Sequence, residues 1–190
     1  MKLNTVLIFG APGSGKGTQG KILGQVPGYF HCACGDVFRS LDLSSEVGRI
    51  FLEYSSKGAL VPDEFTVRLW HNAIEGMTST KRFDPSRDTL VLDGIPRNVQ
   101  QAKIMTDRIE VKKLFHLTCP DRSKLVERLK RRALKDNRLD DANEETIRTR
   151  LDVYESESRP ILDYYGKDLT VTVDATQQPM KVLSAILAAL

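Results

Sequence analysis

The chain has 190 residues, 41% of them hydrophobic and 28% charged, with a formal net charge of +3. That length carries one well-buried core with small inserted lobes. The mild charge does not select nucleic acid or a membrane surface as partner, though it suits small anionic substrates. No apolar stretch approaches the ~20 residues that span a bilayer. The N-terminus has one lysine and only a short apolar run, which is not a signal-peptide pattern, so a cytoplasmic location is expected.

The first predicted strand, Thr5–Phe9, feeds directly into Gly10 to Thr18, GAPGSGKGT. Glycines at 10, 13, 15 and 17 remove side chains that would keep backbone N–H groups from an anion. The helix that follows offers its positive end to the same anion, and Lys16 adds a point charge able to reach outer phosphates. Strand, loop, lysine and helix in register name a ligand class, the phosphates of a nucleotide, with Gly13, Ser14, Gly15, Lys16, Gly17 and Thr18 as candidate binders. Gly17 stands where the general loop has Ser or Thr, so the hydroxyl falls one place later, at Thr18.

Further strands are predicted over Tyr29–Ala33, Thr89–Leu92, Lys113–Leu117 and Leu169–Val173. Several are apolar almost throughout, as in strands buried on both faces of a parallel sheet. Helical stretches lie between them. The pattern predicts an α/β fold, a five-stranded parallel sheet flanked by helices. Ligands then bind beyond the carboxyl ends of the strands, where the phosphate loop, Gly35-Asp36 and Asp93-Gly94 all fall. Within a single domain of residues 1–190, two segments read as insertions. Residues 35–64 show helical patterning around Val37–Leu41 and Glu46–Ser56, and the basic, polar stretch 132–143 reads as a short lid over phosphates. Cys32, Cys34 and Cys119 are expected to be buried free thiols, because an odd count and an i, i+2 spacing suit neither a disulfide framework nor a zinc site. His31, His71 and His116 lack a spacing that suggests catalysis or a metal.

GxPGxGKGTQ, matched through Gln19, resembles the loop of the nucleoside monophosphate kinases and of adenylate kinases in particular. Four further stretches carry the same resemblance, which extends from residue 10 to about residue 177. GDVFR, Gly35 to Arg39, is similar to the family's GDxxR, with Arg39 in the first turn of a helix forking onto the AMP phosphate. GALVPDE, Gly58 to Glu64, is similar to the segment lining the adenine of AMP, with Ala59, Leu60 and Val61 in contact and Asp63 capping the next helix. LDGIPRNVQQA, Leu92 to Ala102, resembles LDGFPRxxxQA. There Asp93 would hold Mg²⁺ through water, Gly94, Ile95 and Pro96 would line the AMP site, Arg97 would clamp the AMP phosphate, and Gln101 would read the adenine edge. In Arg128 to Arg150, the resemblance implies that Arg128 packs on the ATP base and that Arg132, Arg138 and Arg150 contact phosphates. Asn143 caps the helix bearing Arg150, and Arg148 points to water. Gln177 completes the ATP side.

The activity implied is reversible in-line transfer from Mg-ATP to AMP, giving two ADP, with Lys16, Arg97, Arg132, Arg138 and Arg150 catalytic, no zinc, and a monomer. The acceptor phosphate is already ionised, which leaves positioning and charge cancellation as the chemistry required. Two residues depart from the adenylate pattern: Cys34 stands for a Thr beside the AMP base, and Ile95 for Phe. A UMP/CMP kinase is therefore the alternative specificity, and a regulatory nucleotide-binding module that has lost catalysis the alternative class.

Overall fold

In the computed structural model, residues 2–136, 138, 141 and 143–190 are described. Elements run β1 (Leu3–Gly10), α1 (Lys16–Leu23), β2 (Tyr29–Ala33), α2 (Cys34–Arg39), α3 (Glu46–Ser55), α4 (Asp63–Ser79), β3 (Thr89–Asp93), α5 (Val99–Met105), β4 (Ile109–Thr118), α6 (Arg122–Asp136), α7 (Glu144–Val153), a π-helical turn (Tyr154–Ser158), α8 (Ile161–Tyr165), β5 (Thr170–Asp174) and α9 (Pro179–Leu187). The five strands form one parallel sheet, as the sequence predicts, and their order is β2-β3-β1-β4-β5.

Alternation along β1 divides the core. Val6 and Ile8 join Val91, Phe115 and Val173 on one face, covered by Leu23 of α1 and by Val182 and Ile186 of α9. Leu7 and Phe9 join Leu90, Leu92 and Leu114 on the other, covered by helices α4 to α8 through Val67, Trp70, Met105, Leu129, Ile147 and Ile161. Each such side chain contributes about 1.5–3 kcal/mol on burial. The central position of β1 puts the loop after it over the middle of the sheet, with Asp93 of β3 beside Ile8 and Leu117 of β4 beside Gly10. Helix α1 packs unusually close to β2. A Cβ on Gly20 would lie 2.3 Å from Nε2 of His31, and one on Gly24 would lie 2.7 Å from the His31 Cβ.

Two local expectations are corrected, at Arg39 and at Asp63. Helix α2 begins at Cys34, so Arg39 ends it rather than standing in its first turn. Helix α6 runs on to Asp136, so the expected lid begins as helix; within 132–143, Asn137, Leu139, Asp140 and Ala142 lie outside the described residues. Asp63 is the first residue of α4 and Pro62 takes the cap position, which leaves the Asp63 carboxylate for other partners. Asn143 does cap α7, its Oδ1 accepting from the Thr146 N–H at 2.9 Å, and Arg148 is exposed.

Candidate active site

The phosphate loop is built from backbone that side chains disfavour. Gly10, Gly13 and Gly15 have φ of 147°, 83° and 98°. A Cβ on Gly10 would meet the Leu117 carbonyl oxygen at 2.5 Å, and one on Gly13 would meet the Leu125 carbonyl oxygen at 3.0 Å. The N–H groups of Ser14, Thr18 and Gln19 donate back to Ala11 and Gly15, whereas those of Gly13, Gly15, Lys16 and Gly17 donate to nothing among the described residues. Four free donors at the start of α1 form an anion nest. Ser14 lies in the same turn with its hydroxyl buried and unpartnered.

Lys16 closes the loop from below. Its ammonium donates to the carbonyls of Gly10 at 2.7 Å and Ala11 at 3.0 Å. Burial pushes its pKa down from 10.5 to about 8; Asp93 opposes that shift, while Arg97, Arg132 and Arg150 add to it. Arg97, Arg132 and Arg150 therefore share one electrostatic field with the loop lysine.

A cleft of about 610 Å³ joins these groups, a size usual for ligand sites. Each of the sequence-predicted residues from Gly13 to Thr18, Cys34 and Arg39, Ala59 to Val61, Asp93 to Arg97, Gln101, Arg128, Arg132, Arg138, Arg150 and Gln177 lines it. On the α2 side, Arg39 folds back over Gly35 and pairs with Asp36 at 2.5 Å. Burial works to raise the Asp36 pKa, but the Arg39 hydrogen bond and charge, with Lys21 and Arg138 adding, bring it below the usual carboxylate value. Arg138 thus reaches the field of α2 from the opposite wall. Cys34 is buried, its thiol pushed up to about 12 chiefly by burial, so it presents a neutral apolar wall.

Arg97 is held by its own turn, Nε donating to the Gly94 carbonyl at 3.1 Å. On the lid side, Arg128 donates to the carbonyls of Gly13 at 3.5 Å and Ala175 at 3.0 Å, tying α6 to the loop and to the end of β5. Arg132 donates through Nε and Nη2 to one oxygen of Asp141, at 2.8 and 2.6 Å, and Arg150 donates to the other. Asp141 is 1% exposed and aligns two arginines toward the cleft. Sequence reasoning passed over that role, although the signal stood in RLDD. Asp63 is the second such omission: it accepts from the side-chain amides of Asn98 and Gln101, both at 2.9 Å.

The donor set fits a hard cation. The Asp93 carboxylate, 9% exposed, makes no hydrogen bond among the described residues. It faces the loop, where a Cβ on Gly17 would lie 3.4 Å from Oδ2. An unpartnered carboxylate beside a phosphate nest suits Mg²⁺ held with its waters. Among the described residues, no cluster of three or more His, Cys, Asp or Glu is placed to hold a metal on its own.

The family model for adenylate kinase matches residues 8–170. The chain belongs to the adenylate kinase family. It is 37% identical over 175 residues to an adenylate kinase of Parabacteroides distasonis, covering 87% of each chain. It is 37% identical over 168 residues to one of Porphyromonas gingivalis, covering 85% of this chain and 82% of the relative. With one of Corynebacterium urealyticum it shares 33% identity over 186 residues, covering 97% of this chain and 98% of the relative. Seven arginines line the cleft of this family member: Arg39, Arg97, Arg128, Arg131, Arg132, Arg138 and Arg150. Among the described residues, no helix is long and apolar enough to cross a membrane.

Proposed function

We propose that the chain performs the reaction of its family, reversible transfer of the terminal phosphoryl group of Mg-ATP to AMP, giving two ADP. The observation that carries this reading is the four free N–H groups of the loop facing Arg39, Arg97, Arg132, Arg138 and Arg150 across one cleft. A phosphate-binding site needs the nest; only a second phosphate needs the opposite wall of arginines. The loss of acceptor-side arginines that a regulatory module would show is not seen.

ATP lies with its β- and γ-phosphates on the N–H groups of Gly13, Gly15, Lys16 and Gly17, its base side bounded by Arg128 and Gln177. AMP lies against Cys34, Ala59 to Val61 and Gly94 to Pro96, with Arg39 and Arg97 on its phosphate and Gln101 on its base. Residues 35–64 act as the monophosphate-binding insertion and 132–143 as the lid. Gln101 has both amide atoms engaged, Oε1 by the Arg97 N–H at 2.7 Å and Nε2 by Asp63, which leaves one N–H and one oxygen lone pair for a base. Asp93 would hold Mg²⁺ through water, and the ion supplies charge neutralisation and geometric order to the phosphate chain. The protein's own work is in-line positioning. Lys16 leaves its loop carbonyls for the phosphates, and Arg132 and Arg150, aligned by Asp141, meet the charge on the transferring group. Exclusion of water by the closing lid keeps AMP as the acceptor. All these groups come from one chain, so a monomer suffices.

A coupled assay of Mg-ATP against AMP, UMP, CMP and GMP in parallel tests the reading. ADP formation that depends on AMP is expected. Turnover with a pyrimidine monophosphate alone would move the assignment to a sister specificity, and no transfer to any of the four would remove catalysis from it.

A further inference from the structure

We propose that Asp63 is a positioning residue: it fixes which way round the Gln101 amide faces the base, and so selects a 6-amino over a 6-oxo purine monophosphate. The proposal rests on the reading of Gln101 as the residue that meets the base.

A glutamine amide is almost symmetric in shape, and its two ends differ only in what they bond. Here both ends are pinned. Oε1 accepts from the Arg97 backbone N–H at 2.7 Å, and Nε2 donates to the Asp63 carboxylate at 2.9 Å. Rotating the amide by half a turn would set oxygen against carboxylate and N–H against N–H, in a residue that is 1% exposed. Asp63 is itself held, since the Asn98 side-chain amide donates to the same carboxylate oxygen at 2.9 Å. The Asn98 carbonyl in turn accepts the Gln101 backbone N–H at 2.8 Å. The ring of bonds joins the first turn of α4 to the start of α5, the two segments that flank the monophosphate side of the cleft.

The acid is what gives the ring its sense. An ionised carboxylate only accepts, whereas an amide or hydroxyl at position 63 would accommodate either end of Gln101. With the amide fixed, its remaining N–H and remaining lone pair meet the base in one order. A 6-aminopurine offers an acceptor at N1 and a donor at the 6-amino group; a 6-oxopurine offers a donor at N1 and an acceptor at O6. The two edges are complementary to opposite orientations of the same amide.

The test measures kcat/KM for AMP and for IMP at saturating Mg-ATP in the wild type, Asp63→Asn, Asp63→Ala and Gln101→Ala. The wild type is expected to favour AMP. Both position-63 variants should raise the IMP-to-AMP ratio about tenfold, since one of two charge- or backbone-assisted pins is removed, with KM for ATP unchanged. A ratio divides out any unfolded fraction, so a merely structural role would leave it where it was. An unchanged ratio in both variants, alongside a lost preference in Gln101→Ala, overturns the role of Asp63 alone. Retention of the full AMP preference in Gln101→Ala overturns the reading of Gln101 on which the proposal stands.

Discussion

Lys16 binds two carbonyls of its own loop and has a pKa lowered to about 8 by burial. The folded value lies below the unfolded 10.5, so holding Lys16 protonated weakens the fold. That cost is full below about pH 8 and disappears as pH rises toward 10.5, the window in which the unfolded chain binds more protons. Catalysis runs the other way, because only the ammonium form balances phosphate charge. Profiles of kcat/KM for ATP, which report the free enzyme, should therefore fall above about pH 8 while melting experiments show no matching loss of stability. A flat profile to pH 10 would remove Lys16 from the phosphate-binding role. Arg97 gives a second test at this scale. Arg97→Ala should lower turnover and use of AMP by about 10²–10³-fold, as for other preorganised charge donors, and leave ATP binding measured by calorimetry largely intact. Unchanged kinetics would end the assignment.

Among the elements, the loop separates two effects of glycine. Gly13 and Gly15 both have positive φ, but a Cβ at 13 would press on the Leu125 carbonyl and on Leu129 at 3.2 Å, while one at 15 meets open space. Gly15→Ala should cost only backbone strain of about 1–3 kcal/mol; Gly13→Ala should cost more in urea unfolding, because α6 must also move. In the lid-side helices, Asp141→Ala leaves Arg132 and Arg150 without their shared counter-charge. A fall of at least about tenfold in kcat is expected, with KM for AMP little changed. These helices also show where the sequence was legible. Strand β2 has its predicted limits because it is bounded by Gly28 and the Cys34 helix start. Strand β4 was predicted four residues short at its start: Glu110 is exposed and the Ile109 half alternates polar with apolar, so the apolar-run signal begins late. The loop glycines, Lys16 and the arginines were readable because phosphate chemistry demands those residue types at fixed spacing. Asp63 was not, because it serves side chains of α5 and its cap brought from far along the chain, and no local pattern records such a partner; Asp141 stands near both of its arginines in sequence, and RLDD carries its signal.

At the scale of the molecule, the site is a property of the whole sheet. It draws on the loop after β1, on α2 after β2, on the turn after β3, on α6 after β4 and on the segment after β5. Ligand and fold should therefore be coupled through mass action. ATP at one hundred times its Kd should add about 2.7 kcal/mol to stability, raising Tm by about 5–10 °C for a chain of this length. Scanning calorimetry with and without ATP checks it, and no shift would mean that the nest binds nothing in the native state. Arg128 carries a further consequence. Its guanidinium spans the Gly13 and Ala175 carbonyls, so α6 ties the loop after β1 to the segment after β5. The position of the glycine loop and the docking of β5 are thus secured by one side chain rather than by two.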